Sequence, residues 1–245
     1  MKKFPAQFSD LLSRQGLKLL EGRHPLAGTL ARGQGRFVFG AGLLDARRSV
    51  EMAALLEKTL GDKMVVMAQP IPPEATAKMT IAYTEQLPKT VRVHTAFIDH
   101  ARSAARKRAV DSGLIELMRS SSFHAFAEAL SGYPLRNRWG LQALCYRDRD
   151  YSGPHNDAHP DEPLGKDGYT DLHLTFCNDA VERQLLVYEK QGHLTELTDV
   201  AMKGGVTCYR LPFWHYTTPL QSRRGKEKAS RRWVLLGTFL DRWDD

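Results

Sequence analysis

Beyond residue 139 the chain carries five short apolar runs, at 141–146, 171–177, 184–188, 206–211 and 232–240, each bounded by turn-forming residues. Short strands at this density predict an antiparallel sandwich or jelly roll. The first 138 residues have a different texture. Pro5 suits a helix start, and Phe8, Leu11 and Leu12 recur at helical spacing. Ser49 can cap a helix that carries Ala53, Leu56 and Leu60 and ends at Gly61. Further helices are expected over about 99–110 and 113–130, the second closed by Gly132 and Pro134. Strands are expected at 36–39, 65–67, 79–83 and 91–97, with a Pro-rich stretch at 69–73. No flexible linker marks the change near 139. The chain therefore reads as one domain over 1–245, with a mixed N-terminal part (1–138) supporting a strand-rich core (139–241), an α+β arrangement.

Composition narrows the classes further. The three cysteines, Cys145, Cys177 and Cys208, are odd in number, far apart and set in apolar runs. That pattern reads as buried free thiols in a reducing cytoplasm. Ser9, Asp10, Ser13, Arg14 and Gln15 interrupt any apolar segment after Lys2 and Lys3, against a signal peptide. No run of about 18 apolar residues is present, so no membrane helix is expected. The net charge of +7 comes largely from two clusters, Arg102, Arg106, Lys107 and Arg108, and Arg223, Arg224, Lys226 and Lys228. Neither has interleaved aromatics, so both read as solvated surface and not as a nucleic-acid site. Gly33-Gln34-Gly35 is too short for a phosphate loop.

The chemistry concentrates in His155-Asn156-Asp157. In an extended segment residues i and i+2 share a face, so an imidazole and a carboxylate can converge on one ion. His215 follows the strand expected at 206–211, after two further strands that can return the chain across a sandwich. Two histidines and one carboxylate leave adjacent metal positions open, the pattern that selects Fe(II) in oxygenases. Arg232 heads the last apolar strand, where a guanidinium is awkward unless it grips an anion through paired hydrogen bonds. Strand alternation sends Arg231 to the other face. Other residues read as ordinary. His159 is at most a group behind a ligand, His173 a satisfied or exposed histidine, and His193 a turn residue. Residues 147–150 read as an exposed loop with local ion pairs, and Trp139 and Trp214 as packing residues.

Ala143-Leu144-Cys145-Tyr146, Tyr151 and Pro154-His155-Asn156-Asp157 resemble the first half of the prolyl-hydroxylase-like branch of the 2-oxoglutarate/Fe(II) oxygenases. Trp214-His215 through Arg232-Trp233-Val234-Leu235-Leu236 resembles its second half, so the resemblance covers about 139–241. It implies a double-stranded β-helix (jelly-roll) core and a catalytic Fe(II) held by His155, Asp157 and His215. It further implies 2-oxoglutarate bound by Arg232 and Tyr146, and turnover of 2-oxoglutarate and O2 to succinate and CO2. Asp157 implies hydroxylation, because related halogenases lack that carboxylate. Two departures stand out. The basic loop 222–230 lengthens the interval between His215 and Arg232, and Arg223 or Arg224 would fit the shorter spacing. Arg232 is preferred because it leads an apolar strand. Phe176 stands where the branch often has a cosubstrate-binding tyrosine, with Thr238 as the candidate replacement. The expected substrate is a small molecule, such as an amino acid or natural-product intermediate. A protein side chain or nucleic-acid base is the alternative within the class, and a non-catalytic jelly-roll binding module the alternative outside it.

Overall fold

The computed structural model describes residues 3–33, 35–70, 90–157 and 168–242. The strand expected at 79–83, and His159, lie outside the described residues. Helices α1 (Arg14–Leu20), α2 (Ala46–Leu60), α3 (Ala104–Asp111), α4 (Leu114–Met118) and α5 (Ser121–Ser131) come from the first 138 residues. Local chemistry moves several ends from their expected places. The stretch after Pro5 makes only a 3-10 turn, Phe8–Leu11. Asp45, not Ser49, caps α2, its carboxylate accepting from the Arg48 amide at 2.9 Å. Ser49 instead sits in the first turn and donates to the Asp45 carbonyl at 2.8 Å. The expected helix at 99–110 starts only after Ser103, whose Oγ accepts from the Arg106 amide at 3.0 Å. The segment 113–130 divides into α4 and α5 because Ser120 starts a new helix, accepting from the Phe123 amide at 3.3 Å. Gly132, at φ 81°, ends α5 in the left-handed conformation.

Thirteen strands are formed among the described residues. Those before the expected core are β1 (Phe37–Gly40), β2 (Val65–Pro70) and β3 (Thr90–Ala96). They are followed by β4 (Leu135–Tyr146), β5 (Tyr151–His155), β6 (Tyr169–Cys177), β7 (Val181–Arg183) and β8 (Leu185–Lys190). The last are β9 (His193–Asp199), β10 (Val206–Leu211), β11 (His215–Thr217), β12 (Gln221–Ser222) and β13 (Arg232–Asp241). His193, expected in a turn, opens β9. One antiparallel sheet runs in the order β1-β10-β6-β13-β4-β3-β5-β11-β8-β9, with β2 on β3, while β12 pairs β7 separately.

Strand β3 is where this sheet turns its corner. Its His94, Thr95 and Ala96 pair with Cys145, Leu144 and Ala143 of β4, while Val91 and Arg92 pair with Ser152 and Tyr151 of β5. The helix-backed half, β1-β10-β6-β13-β4, alternates strictly. Leu172, Leu174 and Phe176 of β6, with Trp233, Leu235 and Phe239 of β13, pack into one core with Met52 and Leu56 of α2 and Phe123 and Phe126 of α5. The opposite faces of these strands look toward β5 and β11. That period-two division puts polar side chains inside without opening the core. Cys145, Cys177 and Cys208 are free and buried, and burial pushes the Cys177 thiol up to about 12. Among the described residues no helix is long and apolar enough to cross a membrane.

Candidate active site

His155 ends β5 and His215 begins β11, and the two are direct cross-strand partners. Their ring centroids are 4.3 Å apart. Asp157 reaches the pair in a way that strand alternation does not supply. Strand β5 stops at His155, and Asp157 takes a left-handed backbone, φ 54°. That turn swings the carboxylate back, with one oxygen 3.1 Å from His155 Nε2 and the other 3.6 Å from His215 Nε2. One ligand atom from each of the three residues lies within 4.8 Å of the others, a group able to hold a metal ion.

The tautomers of both rings follow from their partners. His155 Nδ1 lies 2.6 Å from the Gly153 carbonyl and His215 Nδ1 2.7 Å from the Phe213 carbonyl. A carbonyl only accepts, so each ring donates from Nδ1 and keeps the Nε2 lone pair for a metal when neutral. Burial alone would lower His155, but the charge and hydrogen bond of Asp157 and the Gly153 carbonyl raise it overall. Burial would raise Asp157, yet His155, His215 and His173 hold it well below the usual carboxylate range. Burial first, then the charge of His155, push His215 down to about 3. Above that pH, His155 is therefore the histidine whose proton competes with a metal. Co(II) affinity, measured by titration between pH 5 and 8, is expected to fall about tenfold per unit once the pH is below the raised His155 value. A slope of two protons per metal would contradict this.

Arg232 lies on the facing wall, 3% exposed. Its Nε donates to the Val200 carbonyl (3.1 Å), Nη1 to Gln184 Oε1 (2.9 Å) and Nη2 to Thr175 Oγ1 (3.3 Å). Gln184 cannot turn its amide round, because its Nε2 already donates to the carbonyls of Asp150 and Thr218, at 3.1 and 2.9 Å. Among the described residues no carboxylate pairs with Arg232, and a guanidinium has further donors to give. Arg231 does take the other face, 3.4 Å from Glu57 of α2. Arg223 and Arg224 are exposed in the loop after β12.

Tyr146 is the cross-strand partner of Arg232, and the guanidinium stands 5.1 Å from its ring centre. His155, Asp157, His215, Arg232 and Tyr146 all line one cavity of about 1310 Å³. Thr238 lines it as well, but six residues along β13 from Arg232, roughly 20 Å at strand rise. It is paired with Asp171, so Thr175 and not Thr238 meets the guanidinium. Phe176 belongs to the helix-side core and does not line the cavity.

Sequence reasoning missed several residues in this cavity or behind Arg232. Tyr209 of β10 packs its ring 5.0 Å from His215 and shares a 2.8 Å hydrogen bond with His173 Nε2. Asp171 is buried beside them, and burial, the largest influence on it, raises its carboxyl. A polar residue at every second position of β6 was the available signal for Asp171, His173 and Thr175. Gln184 offered none. The expected exposed loop at 147–150 is also corrected. Asp150 is fully buried, bound to His94 Nδ1 at 2.8 Å and to the Arg147 amide at 2.9 Å.

Comparison with known proteins adds the fold. No protein-family model and no curated protein matches the chain. Solved structures do. A 2OG-Fe(II) oxygenase-family oxidoreductase from Burkholderia pseudomallei aligns with TM-score 0.52 and 14% identity, over 100% of this chain and 95% of its own. The epimerase SnoN, in complex with Fe3+, alpha ketoglutarate and nogalamycin RO, aligns with TM-score 0.53 and 17% identity, over 86% and 82%. A Trichoplax adhaerens prolyl hydroxylase bound to a hypoxia-inducible-factor peptide aligns with TM-score 0.50 and 11% identity, over 92% and 89%. The shared feature is the double-stranded β-helix of these oxygenases, with the helices of the first 138 residues backing one of its two walls.

Proposed function

We propose that this chain, as one catalytic domain over 1–245, is an Fe(II)/2-oxoglutarate-dependent oxygenase that hydroxylates a small organic molecule. One observation carries the reading. Facing walls of a single cavity hold a two-histidine, one-carboxylate group and a buried guanidinium that forms no ion pair with a carboxylate of the described residues. The donor set fits Fe(II), since three protein ligands leave adjacent positions for a bidentate oxoacid and dioxygen. The unpaired guanidinium fits the far carboxylate of that oxoacid.

Each residue then has a defined task. His155 and His215 bind as neutral rings oriented by the Gly153 and Phe213 carbonyls, and Asp157 supplies the compensating charge. Arg232 holds the 2-oxoglutarate C5 carboxylate, aimed by Gln184 and Thr175, with Tyr146 alongside. Val93, Val234 and Leu236 line the cavity and keep water from the reacting groups. When bound, iron with 2-oxoglutarate and O2 supplies the oxidising power that converts a substrate C–H to C–OH, with succinate and CO2 as coproducts. Asp157 favours hydroxylation, because its carboxylate takes the position a halide would need. The volume exceeds the usual 300–1,000 Å³ of a small-molecule site, leaving room for a substrate beside the cosubstrate. The nogalamycin complex of SnoN supports a small molecule as that substrate.

The protein mixed anaerobically with Fe(II) and saturating 2-oxoglutarate is expected to develop a weak visible charge-transfer band. Its absence would leave the cavity to a non-catalytic binding role.

A further inference from the structure

The same cavity has a second, basic end that the metal and cosubstrate sites do not use. Arg119, in the cap following α4, stands 5.2 Å from the centre of the Trp139 ring. Arg106 of α3 and Arg138 of β4 line the cavity with it. One carboxylate serves two of the three. Asp99 lies 3.8 Å from Arg106 and 3.6 Å from Arg119, and its other oxygen accepts from the Leu141 amide. Arg138 has no ion pair among the described residues. Burial, and the charges of Arg138 and Arg106, lower Arg119 against the pull of Asp99. The surplus positive charge thus gathers at the rim of the cavity, with Arg106 and Arg119 half-buried and Arg138 exposed, where it can draw an anion toward the opening.

Register fixes how far this end lies from the metal group. Gln142 of β4 pairs Leu236 of β13, which pairs His173 of β6. His173 is bonded to Tyr209, whose ring lies against His215, and Tyr209 itself pairs Asp171 opposite Thr238 and Gly140, so the metal group stands level with residues 140–142 of β4. Arg138 is two to four residues farther along β4, roughly 7–13 Å at strand rise. On the cavity side Leu236, Gly140, Thr238 and Leu240 line the space between, with Asp171 beside Thr238.

We propose that the substrate is an elongated organic anion whose carboxylate or phosphate is held by Arg119 and Arg138, with its chain lying along β4 and β13 between that end and the metal group. This assignment rests on the oxygenase reading for the word substrate, but the anion site can be tested without turnover. The probes are hexanoate, hexyl phosphate and hexanamide, titrated by calorimetry into the full chain preloaded with Co(II) and 2-oxoglutarate, so that Arg232 is occupied.

At least one of the two anions is expected to bind about tenfold or more tighter than the neutral amide, and the tighter of them identifies the acid group. The double variant Arg119→Gln/Arg138→Gln should lose that preference, whereas Arg102→Gln, outside the cavity, should keep it. Equal binding of hexanamide overturns the proposal. So does a preference that survives the double variant, or one that Arg102→Gln also removes. Thermal unfolding of each variant within a few degrees of the parent excludes misfolding, and single Arg138→Gln, at an exposed position, serves if the double variant does not fold. The two readings separate cleanly. An anion preference without the Fe(II)/2-oxoglutarate band sinks the enzyme and keeps the site, and the band without the preference does the reverse.

Discussion

Arg232→Leu is expected to weaken 2-oxoglutarate binding by more than about 100-fold while Co(II) binding stays within about threefold of the parent. The guanidinium is 3% exposed and three of its donors are committed to Val200, Gln184 and Thr175. Only donors left over can take an incoming carboxylate, and truncating one partner of a buried charge pair costs about 2–5 kcal/mol. Gln184→Glu should reproduce much of the loss with Arg232 intact. The new carboxylate would sit where Gln184 Oε1 now lies, 2.9 Å from Nη1, and neutralise the guanidinium from behind. Arg224→Ala should do nothing. Calorimetric titration of 2-oxoglutarate into each Co(II)-loaded variant decides. If Arg224→Ala weakens binding and Arg232→Leu does not, the exposed loop and not the last strand holds the cosubstrate.

Asp157→Ala is expected to reduce Co(II) affinity by more than roughly 100-fold, beyond the cost of losing a group that merely supports a ligand. Asp157→Gly should lose the metal equally, yet exceed Asp157→Ala in stability by about 1 kcal/mol. The reason is the backbone at φ 54°, which a Cβ opposes and glycine adopts freely. Urea denaturation of the two metal-free variants reads the difference. Equal stability would mean that the left-handed turn relaxes once the carboxylate is gone, and that ligation, not local backbone preference, holds it in place.

Five strands of the second half, β4, β6, β8, β10 and β13, were readable because each holds an apolar run of strand length, and strand alternation correctly sent Arg232 and Arg231 to opposite faces. What escaped was set by contacts across the fold. His155 and Asp157 were expected to share a face by alternation, whereas they converge through a left-handed turn outside the strand. Short β5 and β11 lack any apolar run, since their partners on both sides stabilise them. Asp150 looked like part of a charged loop and is buried, because His94 comes from a strand 56 residues earlier in the chain. Arg106 belonged to a run of surface charge, yet one turn of α3 brings it to the cavity while Arg108 pairs with Asp62. Thr238 was placed by residue type alone, and β13 carries it well past the guanidinium.

The corner made by β3 bears on how such a chain can be cut or recombined. His155 and His215 stand on one side of the fold and Arg232 on the other. Among the described strands β3 is the hydrogen-bonded join between those two sides. A fragment beginning at 139 would retain every residue proposed to touch iron or cosubstrate and still lack that join. It would expose the β4 and β5 edges, the unpaired rows that invite self-association. The proposed site residues are therefore not a transplantable cassette. A chimera that exchanges the N-terminal part must bring a strand able to pair in both directions at once.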